Sequence, residues 1–407
     1  MVSLRALQCI YLSNCLCYFK KPNFERGTKM KRLFVMLMVL VMSLLVASCA
    51  AEAPVAEPAA PAAVDQAPAA QAPAAQDADE QDAVEQGSER MVIGMSAFNL
   101  TDPGLILIQN GAELAAQDFN AELVWSASEG NMDVQIDQIR AFIQMGVDAI
   151  WIDSVDVVGV IGVVNEATEA GIIVLTAGSR VEAIANYNLI YPDYVDAYFA
   201  ASLIGEYFRD QEGTIGLVVG SAGNLVSEGR QAGFTDGLAR FPNLNLVTGM
   251  GMWDATTSMT VAEDMARANP DLLHVHVIAD GMSFGVRQGI QNVGVDISLS
   301  SNDGDPDALD LLETGEFLFN NVVGNERLGY WGIAIARRLF DGESMARDQF
   351  LPTYKVMTDE MFEFVQERGL TVINNTEFDF VTIPEARRVV GSDYYRREFD
   401  ASFVPTQ

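Results

Sequence analysis

From Met91 onward the chain repeats one unit: a short apolar run, a turn, an amphipathic stretch with helical spacing, and another apolar run. A parallel sheet buried on both faces requires this pattern, because each parallel connection crosses over through a helix. Strands are expected at 92–98, 122–126, 149–153 and 172–176, and the pattern restarts with strands at 214–219, 246–250, 273–279 and 297–301. Two rounds of four units imply two similar lobes rather than one large sheet, an α/β fold whose ligands bind beyond the carboxyl ends of the strands. The clearest helix carries Val134, Ile136, Ile139, Ile143 and Met145 as its expected apolar stripe, with Gly146 where a carboxyl cap belongs.

The residues ahead of this pattern read as an address. Met30-Lys31-Arg32 followed by the apolar run 33–46 has the charged and apolar regions of a secretory signal. The run is too short to span a bilayer comfortably. It ends in Val46-Ala47-Ser48-Cys49, which resembles the bacterial lipobox and implies that Cys49 receives a lipid. Pro22-Asn23 and the scattered Cys9, Cys15 and Cys17 are unlike a signal, so translation is expected to start at Met30 and residues 1–49 to be the signal with its lipobox. The mature chain then keeps one cysteine, which excludes disulfides, thiol catalysis and zinc ribbons. Residues 50–90 are Ala, Pro, Gln and acids, too poor in large apolar side chains to fold, and read as a disordered tether.

Net charge is −31, with Lys355 the one lysine beyond Cys49. Nucleic-acid binding rests on basic groups neutralising phosphates, so no nucleic-acid partner is expected. The acid-rich surface is compatible with a salty habitat or with plain compositional bias. No enzyme is expected either. His274 and His276 share one face of a strand, as half of a metal site or as buried hydrogen-bonded groups, and the sequence beyond Cys49 has no cysteine or third histidine to complete a site. Acid pairs can serve glycoside hydrolysis, but no hydrolase motif is present, and Gly220-Ser221-Ala222-Gly223 lacks the ending of a phosphate loop. No catalytic residue, cofactor or metal is assigned.

Several segments, in order, carry a family likeness from about Met91 to about Pro352. They are Ser96 with Asp102-Pro103, Asp133-Val134 leading to the stretch 144–150, and Gly171-Ile172-Ile173-Val174. Gly229-Arg230-Gln231-Ala232-Gly233-Phe234, Trp253-Asp254, Ala279-Asp280-Gly281-Met282 and Asn302-Asp303-Gly304 follow. With these the chain resembles the periplasmic sugar-binding proteins of ribose-binding type, the type I solute receptors of ABC importers. The resemblance implies two doubly wound lobes joined by a three-segment hinge. The first lobe would be 91–192 with 324–349, and the second 193–323 with the tail 350–407. The chain beyond Lys355 is longer than the family's usual tail, and only a helix after Pro384 is read in residues 374–407.

In such receptors aromatic rings sandwich the sugar while carboxylates, amides and Arg bind its hydroxyls. Carried over, this implies ligand contacts from Ser96, Phe98, Asn99, Asp102, Asp153, Thr176, Glu228, Trp253, Asp280, Asn302 and Asp303. Phe98 and Trp253 have the alternative of a core position. Asp153, Asp280 and Asp303 have the alternative of a helix cap or turn, and Asp254 is read as the cap of the helix from Ala255. Departures bear on the ligand: Thr176-Ala177 stands where the family has an Asp-Arg pair, Glu228 aligns where a ligand-binding Arg is expected, and polar residues are missing at Ala279 and Val323. An acidic cleft repels sugar phosphates and sugar acids. The resemblance thus implies a monomeric, lipid-anchored extracytoplasmic receptor, in the periplasm or at the outer face of the cell membrane. It would bind a neutral sugar or polyol and present it to an ABC permease. The alternatives are a cationic or nucleoside ligand, or a receptor that feeds a membrane sensor.

Overall fold

The structure, a computed structural model, describes residues 89–396. The signal segment, Cys49 and the tether up to residue 88 lie outside the described residues. The chain begins with β1 (Met91–Ala97), α1 (Pro103–Asp118), β2 (Ala121–Ala127), α2 (Met132–Met145), β3 (Ala149–Asp153), α3 (Ile161–Glu169), β4 (Ile173–Gly178) and β5 (Tyr187–Ile190). It continues with α4 (Asp193–Tyr207), β6 (Gly213–Val219), α5 (Leu225–Leu238), β7 (Leu244–Met250), α6 (Ala255–Ala268), β8 (Leu272–Val277), α7 (Asp280–Val293), β9 (Ser298–Asp303), α8 (Pro306–Glu313) and β10 (Phe317–Val322). Then come α9 (Asn325–Phe340), β11 (Asp348–Phe350), β12 (Tyr354–Met357), α10 (Asp359–Glu367), β13 (Val372–Ile373), β14 (Thr376–Glu377), β15 (Phe380–Val381) and α11 (Ile383–Val389).

Two main sheets result, ordered β11-β5-β4-β3-β1-β2 and β15-β12-β10-β9-β8-β6-β7. In each, the order reverses beside the first strand of the lobe, β1 or β6, and the carboxyl ends there form the crevice of a doubly wound sheet. All eight expected strands are present, with ends shifted by up to two residues. β5 and β10 to β15 were not expected from the apolar pattern: some are two to four residues long, and β10 is interrupted by Asn320 and Asn321.

Side-chain alternation divides the first lobe into two layers. Trp151 and Leu175 pack with Met91, Ile93, Met95 and α9 on one side, while Ile150, Ile152 and Val174 pack with Ile139 and Phe142 of α2 on the other. The stripe expected on α2 is rotated from the real one. Val134 and Met145 are exposed, Ile136 and Ile143 half-buried, and the buried face is Gln135, Ile139 and Phe142. Gly146 does cap the helix, at φ 70°.

Glycines bring helix pairs together within both lobes. A Cβ on Gly111 would stand 1.8 Å from the Glu326 carbonyl oxygen, so α1 and α9 meet backbone to backbone; a Cβ on Gly233 would stand 2.1 Å from the Tyr194 carbonyl oxygen between α5 and α4. The Gly-Phe pair at 233–234 is thus a packing device.

Three crossovers join the lobes: β5 to α4 through Tyr191-Pro192, β10 to α9 through Val323-Gly324, and β11 to β12 through Leu351–Thr353. Arg327 ties two of them, donating to the carbonyl of Val323 at 2.7 Å and to that of Pro352. Lys355 and Asp196 form a buried ion pair at 2.7 Å between β12 and α4. Phe350 pairs with Ile190 in the first sheet, and Tyr395 is buried in the first lobe's core, although both fall in the stretch expected with the second lobe. The helix expected after Pro384 is α11, with Pro384 in its first turn and Thr382 and Glu385 forming a capping box.

Candidate functional site

A cavity of about 130 Å³ lies between the carboxyl ends of the two sheets. The first lobe contributes Phe98 and Asn99 after β1, Asp102 at the start of α1, Asp153 at the end of β3 and Tyr191 after β5; the second contributes Asn224, Arg230, Trp253, Ala279 and Asp303. The lobes meet at its edges. The Cβ position of Gly281 is 3.6 Å from Pro103 across the cleft, and that of Gly178 is 3.7 Å from Val226.

Both rings expected at the ligand line the cavity, and each rests on a glycine. A Cβ on Gly220 would fall 2.2 Å from the Trp253 indole, and one on Gly130, 3.0 Å from the Phe98 ring. Trp253 and its neighbour Met252 have φ 60° and 57°, and Asp303 has φ 120°. Non-glycine residues rarely adopt these values, and such strain concentrates where a side chain must be aimed at a ligand.

Arg230 organises the polar wall. It is buried on α5, donates from Nε to Asp193 Oδ1 at 2.8 Å and from Nη1 to Asp303 Oδ1 at 3.2 Å, and reaches the Ile278 carbonyl. Burial works against its charge, but Asp193 and Asp303 outweigh it and hold the guanidinium more basic than usual. Burial raises the carboxyl of Asp193 to about 6 despite Arg230, and that of Asp303 rises for the same reason. Asp102 caps α1, accepting from the amides of Gly104 at 2.9 Å and Leu105 at 3.3 Å, and is raised by burial. Asn99 accepts from the amides of Thr101 and Asp102 and shapes the same loop.

Asp153 is pushed up from 3.8 to about 7 by burial, with a bond from the Phe98 amide opposing the shift and Asp102 adding to it. The folded chain therefore holds this proton over a range where the unfolded chain has lost it. Stability from this group is full below about pH 4 and falls as pH rises towards 7. Asp153→Asn should flatten the decline in unfolding temperature across that window, as measured by calorimetry at a series of pH values.

Tyr191 Oη, on a cavity-lining residue, is buried and has no hydrogen-bond partner among the described residues, and Trp151 Nε1 is likewise without one where the indole packs against Gly332 of α9. A buried donor left unpaired is costly, so a solute that accepts from it gains accordingly.

Five expected contacts fall outside the cavity. Ser96 lies behind it, accepting from Gln135 Nε2 at 3.3 Å; Thr176 donates to Asn188 Oδ1 at 2.6 Å inside the first lobe; Asn302 accepts from Asn321 at 3.0 Å. Asp280 is wholly buried beneath the site, accepting from Ser301, from the Asp305 amide at 2.8 Å and from Asn320 at 2.7 Å. Burial and the nearby Asp303 raise its carboxyl. Glu228 is exposed on α5 and accepts from the Gly223 amide at 3.0 Å. Two residues of helix turn a side chain through about 200°, so if Arg230 points into the cleft Glu228 points away from it. The expected contact from Glu228 is corrected: Arg230, two residues further along α5, is the one that lines the cavity.

Arg230 and Tyr191 were missed as site residues, as were Trp151 and Asn325. Arg230 had a readable signal, the four-residue spacing to the buried Phe234 that sets both on one helix face. Asp254 caps α6 as expected, accepting from the Thr257 amide at 2.7 Å. His274 and His276 are buried in hydrogen bonds to Ser298 and Ser300, with His276 stacked between Phe234 and Phe319. No group of three or more metal-ligating side chains occurs, and no helix is long and apolar enough to cross a membrane, among the described residues.

Two parallel-sheet lobes, three crossovers and a ring-lined cavity between them have the architecture of a type I periplasmic binding protein. The chain belongs to the periplasmic binding protein domain family, whose model matches residues 93–344. The ribose import binding protein of Bacillus subtilis is 26% identical over 227 residues, covering 54% of this chain and 72% of the relative. The xylitol-binding protein of Mycolicibacterium smegmatis is 24% identical over 243 residues, covering 59% and 70%. In fold, the crystal structure of a galactofuranose binding protein superposes with TM-score 0.63 at 19% identity, over 69% of this chain and 98% of its own. That of a solute binding protein from Bacillus halodurans with bound myo-inositol gives 0.62 at 22% identity, over 68% and 98%.

Proposed function

We propose that this protein is the extracytoplasmic solute receptor of an ABC importer, that it binds a neutral sugar or polyol between lobes that close upon it, and that Cys49 anchors it to the membrane. One observation carries the ligand class. The cavity sets the carboxylates of Asp102, Asp153 and Asp303 and the donors of Arg230 and Tyr191 around a space bounded by two rings. Hydroxyls both donate and accept, so a polyhydroxylated solute can pair with all of these groups, while rings cover its C–H faces. An anion would meet three carboxylates with one arginine already shared between Asp193 and Asp303. Relatives named for ribose, xylitol and galactofuranose support the same class. The moving bodies are proposed to be residues 91–192 with 324–350, on which Tyr395 and Arg396 dock, and residues 193–323 with 354–394.

Thermal unfolding against a panel of aldoses, polyols, nucleosides and small amines tests the reading. A ligand at a hundred times its Kd adds about 2.7 kcal/mol to stability, a shift of several degrees. One sugar or polyol is expected to produce it, and shifts confined to amines or nucleosides would overturn the ligand class. Trp253→Ala and Asp303→Asn should each weaken binding at least about tenfold, corresponding to roughly 1.4 kcal/mol, while both variants still unfold cooperatively. Near-native affinity in both would remove the cavity from the function. Labelling with a radioactive fatty acid tests the anchor, and Cys49→Ser should abolish incorporation.

A further inference from the structure

We propose that residues 383–396 form a latch that ties the second lobe to the first outside the hinge and holds the molecule closed. This rests on the two-lobed receptor reading and adds to it a fourth, non-covalent tie between the lobes.

The two ends of the segment belong to different cores. On α11, Ala386 and Val389 are buried in the second lobe, and Arg387 pairs with Asp310 at 2.6 Å and Glu313 at 3.2 Å on α8. Tyr394 packs against that same core, under Arg388. The next residue, Tyr395, is buried in the first lobe's core, its ring 5.2 Å from that of Tyr330 on α9. Its carbonyl accepts from Trp331 Nε1 at 3.0 Å and its hydroxyl donates to Glu326 at 3.3 Å. Arg396 adds a two-pronged pair to Asp118 at the end of α1, at 2.7 and 2.8 Å.

The crossing is therefore a single peptide link, and consecutive Cα atoms are 3.80 Å apart. Such a link has almost no slack. Rotation about the three crossovers that separates α8 and α11 from α9 must withdraw Tyr395 from its slot or unravel the turn at Gly391, whose carbonyl accepts from the Tyr394 amide at 3.0 Å. The first-lobe end is the one to release, because it holds by one ring, two hydrogen bonds and one partly exposed ion pair, whereas α11 is capped and anchored by the buried Ala386 and Val389. In the structure the latch is engaged and the cleft edges touch, so its contacts add to the closed state.

The test is the distance between the lobes in the full chain. Cys9, Cys15, Cys17 and Cys49 are replaced by serine, and spin labels are set at Val158→Cys and Leu225→Cys, exposed positions on opposite lobes. Without ligand, Tyr395→Ala with Arg396→Ala is expected to move the distance distribution towards longer separations. With the solute found by the panel, Kd should rise about tenfold, in proportion to the lost closed fraction. Tyr395→Phe keeps the ring and should retain most of the closed population. Arg396→Gln, which cuts only the pair to Asp118, gives a smaller shift in the same direction and serves if the double variant does not fold. Unchanged distances and affinity in Arg396→Gln and in the double variant would overturn the latch. A panel with no binding ligand would overturn the ligand class alone, because the ligand-free distances still report on the latch.

Discussion

Replacing Arg230 by methionine is expected to lower the free energy of unfolding at about pH 8 by roughly 3–5 kcal/mol and to abolish ligand binding. The guanidinium is the one cation between the buried carboxylates of Asp193 and Asp303, whose side chains are 12% and 11% exposed. Removing it leaves both without a counter-charge in a site that water barely reaches. The loss depends on pH in a defined direction. Both carboxyls already sit above their usual range in the folded state, and without Arg230 they rise further. Below about pH 5 they bind protons in the variant and the penalty shrinks. Urea unfolding at about pH 5 and pH 8 measures this, with the larger deficit expected at pH 8. Equal losses would mean that Arg230 acts through packing instead of charge. Asp193 lies beside the first crossover and Asp303 at the end of β9, so the same variant should loosen the junction between hinge and cleft.

Lys355→Met is expected to cost about 3–5 kcal/mol by the same physics at the hinge. This lysine is 1% exposed, and its ammonium lies 2.7 Å from Asp196 and within 6 Å of the rings of Phe199 and Phe378. A methionine fills much of the volume but strands Asp196 in the core. The double variant Lys355→Met with Asp196→Leu removes both charges and should recover most of the stability, since a buried ion pair exchanged for apolar groups is often neutral. If the double variant is as unstable as the single, the hinge depends on the pair itself. Chemical unfolding curves for the two variants and the parent decide between these outcomes.

Lys355 also shows where sequence reading stops. As the one lysine beyond Cys49 in a chain of net charge −31 it was visible at once, yet nothing local marked it as buried. Its partner is 159 residues away, joined to it only because the first and third crossovers lie side by side. The histidines on β8 behaved oppositely. Their alternation on one strand already gave their shared face, and the serines opposite them on β9 complete what that face implied.

The sequence alone determined the alternation of strand and helix, the division into two rounds, the capping roles of Gly146 and Asp254, and the loops in which a site had to lie. These follow from periodicity and caps, which neighbouring residues set among themselves. Tertiary structure decided which residues of those loops meet. Asp153, Asp303 and Trp253 reach the cavity, whereas Asp280 turns down into the network of Ser301 and Asn320 although it too follows a strand end. Arg230 displaced Glu228 because helix rotation against α4, through Gly233, set which face looks into the cleft. The order of Tyr394 and Tyr395 was plain, but that adjacent rings enter different lobes depends on how two separately folded sheets come together. Contacts between lobes join residues far apart in the chain, and no local pattern encodes them.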